Sequence, residues 1–432
     1  MHLLIIGAGP GGYETAVEAV KRGMTVTIVT DGPLGGTCLN EGCIPTKTMC
    51  HYAGLLEENR KAGLDVNLDF SKVVERRKSV IDGLRAGIET LLRNVEVVYG
   101  RACFKDSRTV SVEGREYFAD RIIIATGSVP AFLPVPGASE TMTSADILSL
   151  TEVPSELCVI GGGVIGLEFA SVFSAFGSKV TVLEYCREIL PRFDTDIAKR
   201  LRQALVRRGI SIETQACVTS VGGGTVTYTK KDTGFEVKAD RILMAVGRRA
   251  NVEGLCLEAA GVEYGGRGIP VDENCRTNVD GIYAIGDVTG GMMLAHTASY
   301  QGIRALNDIQ SVKDGIRFDL VPAAVFTMPE VATVGLTEEE CREKGIDVKV
   351  VRSFYRANGK AVSMDESDGY CKLLANTGDG TIAGCHIMGA HAADLIHEAA
   401  ALMNCGATID CMRNIIHAHP TLNEVLQSAF RQ

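Results

Sequence analysis

The stretch His2-Leu3-Leu4-Ile5-Ile6-Gly7-Ala8-Gly9-Pro10-Gly11-Gly12 recurs, altered, as Leu157-Cys158-Val159-Ile160-Gly161-Gly162-Gly163-Val164-Ile165-Gly166. Each copy is an apolar run of strand length, a glycine turn, a helical pattern and a second apolar run. The helices extend to about Arg22 and Phe176, and the second runs cover 25–30 and 179–184. In such a unit the first glycine permits a tight turn, the second lets a pyrophosphate approach the backbone, and the third allows close helix–strand packing. The helix N-terminus then faces the phosphates with unpaired N–H groups and the positive end of its dipole. One copy is weak evidence. Two copies in strand, turn, helix, strand context are specific.

The chain is therefore expected to be α/β, with two Rossmann-like dinucleotide-binding domains. From about Phe318 the pattern changes. Alternating segments at 346–354 and 370–375 predict antiparallel strands, followed by helices near 392–404 and 420–430, which together make a third, α+β domain. Gly222-Gly223-Gly224 and Gly265-Gly266 read as turn tips.

In the second copy Glu184 stands 23 positions beyond Gly161, at the strand end, where a carboxylate bonds an adenosine ribose 2′-OH and repels a 2′-phosphate. NAD is favoured over NADP; the bland alternative is a surface glutamate. The first copy has Thr30 at the equivalent place, with the acid displaced to Asp31.

Between the copies lies Gly35-Gly36-Thr37-Cys38-Leu39-Asn40-Glu41-Gly42-Cys43-Ile44-Pro45-Thr46-Lys47. Positions five apart on a regular helix are separated by roughly 7.5 Å, whereas disulfide-bonded residues keep their Cα atoms about 4.4–6.8 Å apart. The segment cannot be regular helix throughout if the two sulfurs meet, and Gly42 and Pro45 permit the interruption. The layout is that of a redox-active disulfide beside a flavin. Two unrelated buried thiols are the alternative.

Composition excludes other classes. At 432 residues and 46% hydrophobic, the chain can bury a large core in roughly three domains. A net charge of −9 and the lack of a dense Lys/Arg cluster argue against nucleic acid. The longest apolar stretch, 157–177, carries Glu168 in its middle, so no membrane span is expected. Fourteen cysteines are many, but those other than Cys38 and Cys43 are scattered and form no C-x-x-C pair of the zinc type. They suggest a reducing cytoplasm, and no metal site is expected.

The cysteine segment, the doubled fingerprint and His419-Pro420-Thr421-Leu422-Asn423-Glu424 carry a resemblance along essentially the whole chain. Ala125-Thr126-Gly127-Ser128, Ala245-Val246-Gly247-Arg248-Arg249 and Ala284-Ile285-Gly286-Asp287 belong to the same match. The chain resembles the dihydrolipoyl dehydrogenases of the flavoprotein disulfide reductase family. The resemblance implies an FAD domain (1–143), an NAD domain (144–249), a central segment completing the FAD domain (250–317) and a C-terminal dimerisation domain (318–432). Along the FAD it implies Gly7, Gly9, Gly12, Asp31, Lys47, Ala102, Thr126, Gly127, Ser128, Asp287 and Ala295. Against NAD it implies Gly161, Gly163, Gly166, Glu184, Val218 and Gly247.

It also implies a relay. His419 is the general base toward dihydrolipoamide, Cys38 is the more accessible sulfur that is attacked, and Cys43 leaves as a thiolate held against the flavin. Pro420 opens a helix, and Glu424, about one turn in, orients the imidazole. Lys47 is the expected partner of Glu168, whose place in an apolar helix demands one. The histidine is expected to serve the other subunit of a homodimer, and the substrate to be dihydrolipoamide on a carrier or acyltransferase subunit. Another flavin-dependent disulfide reductase, acting on glutathione disulfide or mercuric ion, is the nearest rival. A flavin-loaded docking or redox-sensing subunit is the rival of a different class.

Overall fold

Strand His2–Ile6 has no polar residue after its first, as expected of a strand in a parallel sheet covered on both faces. Leu3 and Ile5 join one buried cluster, with Ala16, Ile28 and Ile123. Leu4 and Ile6 join another, with Val29, Ile122 and Ile124. The computed structural model describes all 432 residues. The chain forms two units: one of residues 1–48, 72–131 and 247–316, the other of 49–71, 132–246 and 317–432.

In the first unit the strands run in the order Ile282–Ala284, Arg121–Ile124, His2–Ile6, Thr25–Thr30, Glu96–Tyr99, all parallel. Helix Pro10–Lys21 makes the first crossover. A three-stranded antiparallel sheet, Ala102–Phe104, Thr109–Val112 and Arg115–Phe118, completes the unit's β structure together with a short pair, Ser128–Pro130 with Arg248–Ala250.

The second unit holds the repeat. Strands Ser211–Thr214, Lys179–Glu184, Glu156–Ile160 and Arg241–Met244 form a parallel sheet, with helix Val164–Ala175 as its crossover. Strands Cys217–Gly222 and Thr225–Lys230 form an antiparallel hairpin turned at Gly223 and Gly224. The change of pattern expected after Phe318 is a five-stranded antiparallel sheet, Ala323–Val325, Val331–Gly335, Ile382–Met388, Tyr370–Asn376 and Val348–Phe354. Helix Ala392–Asn404 contributes Leu395, Ile396 and Ala399 to the same core.

Two expectations are corrected. The last helix runs Glu424–Phe430, so Pro420 does not open it and Glu424 is its first residue. Asn358 Nδ2 donates to the Thr421 carbonyl at 3.0 Å, the acceptor that a helix begun at Pro420 would offer to Val425 N, which bonds the Leu422 carbonyl instead. The cysteines outside the motif are not all unpaired: Cys103 and Cys256 form a disulfide across 153 positions, too far apart for spacing to reveal. No helix is long and apolar enough to cross a membrane.

Candidate active site

The cysteine segment is two helices joined at a break. Helix Gly36–Glu41 carries Cys38, Gly42 takes φ −144° and ψ −113°, and Cys43 begins helix Cys43–Lys61. A Cβ on Gly42 would lie 2.9 Å from the Thr37 carbonyl oxygen and 3.4 Å from the Cys38 Cα, so the approach of the two helices needs glycine there. Pro45 falls in the first turn, where its missing N–H costs nothing. Thr46 closes that turn by donating both its N–H and its hydroxyl to the Gly42 carbonyl, at 3.1 and 2.6 Å.

This break brings the sulfurs together. The hydrogen bond with Cys43, with burial second, pushes the Cys38 thiol well above its ordinary value, while the Lys47 charge works the other way. Cys38 is half-buried within its helix, and Cys43 is exposed at the first position of the next.

Arg248 is a second cation that interacts with this pair, through Cys43. Its Nε donates to Ser128 Oγ and its Nη2 to the Ser128 carbonyl, both at 2.7 Å. Burial lowers its pKa, opposed by the negative groups Asp287, Glu41 and Cys43. Ser128 in turn donates its hydroxyl to Asp287 Oδ2. The only sequence signal for Arg248 was its position after Gly247, because its partners lie far along the chain.

The first glycine turn has the shape a pyrophosphate requires. Added Cβ atoms would lie 2.2 Å from the Ala125 oxygen at Gly7 and 1.9 Å from the Gly7 oxygen at Gly12, whereas at Gly9 nothing lies within 4 Å. Helix Pro10–Lys21 has no side-chain cap at Gly9, so its first N–H groups remain available to an anion. At the end of the second strand a cavity of about 540 Å³ is lined by Thr30, Asp31, Gly32, Tyr99, Arg101 and Glu113, among others. Thr30 is not free to serve it, since its Oγ1 is tied to Gly32. Asp31 is exposed, with Arg101 at 3.9 Å.

The other residues expected along this cofactor lie in the same unit. Ala102 is buried in its strand. Thr126 Oγ1 donates to the Asn251 carbonyl, and the Gly127 carbonyl accepts from Asn251 N. Ala295 begins helix Ala295–Ile309, where Thr297 Oγ1 is buried without a partner. Gln301 Oε1 accepts from Gly286 N at 2.7 Å, just before Asp287. An open glycine, an uncapped helix and an orphaned hydroxyl fit a flavin dinucleotide.

The second turn repeats this geometry. Cβ atoms would meet the Ala245 oxygen at 2.4 Å from Gly161 and the Gly161 oxygen at 2.0 Å from Gly166, with nothing near Gly163. Glu184 is buried; its Oε2 accepts from Gly162 N and its Oε1 from Cys186 N, both at 2.6 Å. It braces the turn while its remaining lone pairs stay open to a ribose hydroxyl. Val218 is buried in the hairpin of the same unit, whereas Gly247 belongs to the first unit. Glu168 is buried in helix Val164–Ala175, where its Oε1 accepts from Phe326 N at 3.0 Å.

Near the C-terminus, His419 Nδ1 lies 3.0 Å from Glu424 Oε1, and the imidazole is 77% exposed. Glu424 also accepts from Thr421 N at 3.0 Å. That backbone bond first, and the histidine second, hold its carboxyl below its usual value. Facing an ionised carboxylate, Nδ1 must donate, which leaves Nε2 as the basic nitrogen. His417 instead pairs with Glu398 at 2.7 Å and is largely buried, a structural role.

Two glycine cradles, a paired-thiol turn and a carboxylate-oriented histidine define the class as a nucleotide-linked disulfide oxidoreductase. The family description "Pyridine nucleotide-disulphide oxidoreductase" matches residues 1–302, and the dimerisation domain of the same family matches 321–430. The chain is 39% identical to a dihydrolipoyl dehydrogenase of Bacillus subtilis over 99% of this chain and 98% of that one. It is 40% identical to the dihydrolipoyl dehydrogenase of Geobacillus stearothermophilus, covering 99% and 94%. Among solved structures it is similar to the HOCl-induced flavoprotein disulfide reductase RclA of Escherichia coli, with 31% identity, a TM-score of 0.89, and coverage of 100% and 99%. The chain belongs to the pyridine nucleotide-disulphide oxidoreductase family.

Proposed function

We propose that this chain is a dihydrolipoyl dehydrogenase, oxidising dihydrolipoamide on a carrier or acyltransferase subunit and reducing NAD⁺. The family binds FAD and NAD(H). The observation that carries the choice of substrate is the identity of 39–40% along 94–98% of the length of two enzymes of that name. We assign FAD to residues 1–143 and 250–317, NAD to 144–249, and dimer formation to 318–432.

His419 Nε2 takes a proton from the substrate dithiol, and Glu424 stabilises the imidazolium that results. The substrate thiolate attacks Cys38 of the disulfide form, the Cys38–Cys43 bond breaks, and Cys43 leaves as a thiolate. The second substrate thiol then displaces Cys38, so lipoamide departs and both cysteines stand reduced. Arg248 and Lys47 place positive charge beside the two sulfurs and favour their ionised forms. FAD, when bound, supplies the two-electron step between the dithiol and the nicotinamide. Cys43 would exchange electrons with the flavin, and Cys38 would meet the substrate. Asp287 Oδ1 and the backbone at Thr126 and Gly127 would hold the cofactor, and Glu184 the ribose of NAD.

His419 and Glu424 of one subunit act on the Cys38–Cys43 pair of the other in a homodimer, within a reducing cytoplasm. A steady-state assay comparing dihydrolipoamide plus NAD⁺ with glutathione disulfide plus NADPH tests the reading. Turnover is expected in the first mixture and not the second, and Cys43→Ser is expected to abolish it. The reverse preference, or substantial lipoamide turnover by Cys43→Ser, would overturn it.

A further inference from the structure

The disulfide between Cys103 and Cys256 has no part in the relay. It joins strand Ala102–Phe104 to the residue before helix Leu257–Ala260, with Cα atoms 5.2 Å apart. Beside it Phe104 N donates to the Leu255 carbonyl at 2.8 Å. Ala102, Phe104, Leu255 and Leu257 pack in one buried cluster. The stretch that leads back from Cys256 is held at its other end by Asn251, which donates its N–H to Gly127 at 2.9 Å and accepts the Thr126 hydroxyl at 2.6 Å. Residues 251–256 are thus fastened at both ends, to the Thr126-Gly127 turn at one and to the strand of Ala102 at the other, there by the disulfide and by the Phe104–Leu255 hydrogen bond.

The two sulfurs differ in access. Cys103 is half-buried and Cys256 is exposed. An exposed disulfide is open to thiol–disulfide exchange in a way that a buried one is not, and in a reducing compartment a disulfide is usually transient or redox-sensing.

We propose that Cys103 and Cys256 form a second thiol–disulfide site, a redox-sensitive clasp on the flavin-binding unit whose exchange partner is a low-molecular-weight thiol or its disulfide. An external thiolate attacks Cys256 Sγ, and the Cys103–Cys256 bond breaks. A mixed disulfide forms at Cys256 and Cys103 departs as a thiolate, which takes up a proton. A second external thiol displaces Cys256, so that two thiols are oxidised to one small disulfide and the protein pair is reduced by two electrons. The small disulfide drives the reverse. Reduction opens a loop of 153 residues and leaves the Cys256 end of the 251–256 tether held only by the Phe104–Leu255 hydrogen bond and the packing of Leu255 and Leu257.

The test uses the holoenzyme in glutathione buffers of graded reduced-to-oxidised ratio, with rapid alkylation and peptide mapping. Peptides containing Cys103 and Cys256 are expected to be linked in oxidising buffer and to carry one alkyl group each in reducing buffer. The melting temperature is expected to fall by about 5 °C on reduction. Flavin fluorescence should be released at correspondingly lower temperature, a readout that alone rests on the flavin reading. A Cys103→Ala/Cys256→Ala double variant retains Cys38 and Cys43, so it should keep basal turnover and lose the redox-dependent part of the shift. The unmutated enzyme supplies the linkage and melting data if the variant does not fold. Absence of the linked peptide in oxidising buffer would overturn the proposal. So would melting that depends on redox state equally in wild type and double variant, or in neither.

Discussion

At the scale of single residues, the site depends on atoms that leave no slack. Gly42 faces the Thr37 oxygen and the Cys38 Cα so closely that an added methyl group must push helices Gly36–Glu41 and Cys43–Lys61 apart. Gly42→Ala should cost about 1–3 kcal/mol of stability and slow Cys38–Cys43 disulfide formation, measured by denaturant unfolding and by thiol titration against time. Unchanged closure of the pair would show that the break does not set the sulfur geometry. Glu424 makes a different kind of contribution. Its carboxyl is held below its usual value, so it remains ionised throughout the neutral range and keeps Nδ1 of His419 protonated. Glu424→Gln preserves an acceptor for Thr421 N but removes the charge that stabilises the imidazolium. Dihydrolipoamide turnover should fall about a hundredfold with KM little altered, and the flavin spectrum should be unaffected. Equal turnover by the variant would leave Glu424 a purely structural role. Of these residues, Cys38, Cys43, His419 and Glu424 were legible because the pairs they form are close in sequence. Arg248 was not, since Ser128 and Asp287 reach it only once the sheets have formed.

At the scale of elements, strands were easier to read than helix ends. His2–Ile6 and Lys179–Glu184 announce themselves as apolar runs bounded by glycine turns, and their limits need no distant partner. Helix Glu424–Phe430 starts later than its apolar pattern implies because Asn358, some sixty residues earlier, takes the Thr421 carbonyl. Strand Tyr370–Asn376 hides a further surprise, a lysine in the core. Lys372 is 2% exposed and meets Asp194 at 2.8 Å, Asp196 at 3.0 Å and Glu338 at 2.7 Å. Burial opposes its charge, but the bonds to Asp194 and Glu338 outweigh burial and raise its pKa. The lysine therefore ties the start of helix Thr195–Arg207 to the antiparallel sheet. Lys372→Met leaves the fully buried Asp194 without its cation, and should cost about 3–5 kcal/mol in urea unfolding. Asp196 adds a pH dependence. Burial would raise its pKa, yet Lys372 and then Arg352 bring it below the usual 3.8. A carboxylate with a depressed folded value stabilises above its unfolded value and loses that contribution as pH falls through the folded one. Wild type should therefore lose stability as pH drops below about 4, and Lys372→Met should lose less over the same window. A loss of equal size in both would separate the acid response from this cluster.

At the scale of the whole molecule, the doubled fingerprint made the two nucleotide units legible, since each glycine turn is a local structure repeated with its own strand and helix. What sequence could not convey is which distant stretches complete each unit. Residues 247–316 join 1–48 and 72–131 in the first unit, and the Cys103–Cys256 bond links two of these stretches. The assembly of two chains leaves a plainer mark. Within residues 321–430, matched by the family's dimerisation domain, Ile416 is 94% exposed and Ile415 37%, immediately before His417 and His419. A nearly naked isoleucine beside the proposed general base is apolar surface that a partner subunit would cover. In a two-fold dimer each such residue is buried twice over, once per copy, and each full burial is worth about 1.5–3 kcal/mol. Ile416→Glu would place two carboxylates in that interface. The variant should sediment at half the mass of wild type in analytical ultracentrifugation and, on the proposed pairing of His419 with a second chain's Cys38 and Cys43, lose dihydrolipoamide turnover. Flavin should remain bound, since the glycine cradle at Gly7, Gly9 and Gly12 and the Ser128–Asp287 contact lie within the first unit of one chain. A variant that sediments as a monomer yet turns over dihydrolipoamide at the wild-type rate would show that one chain holds a complete site.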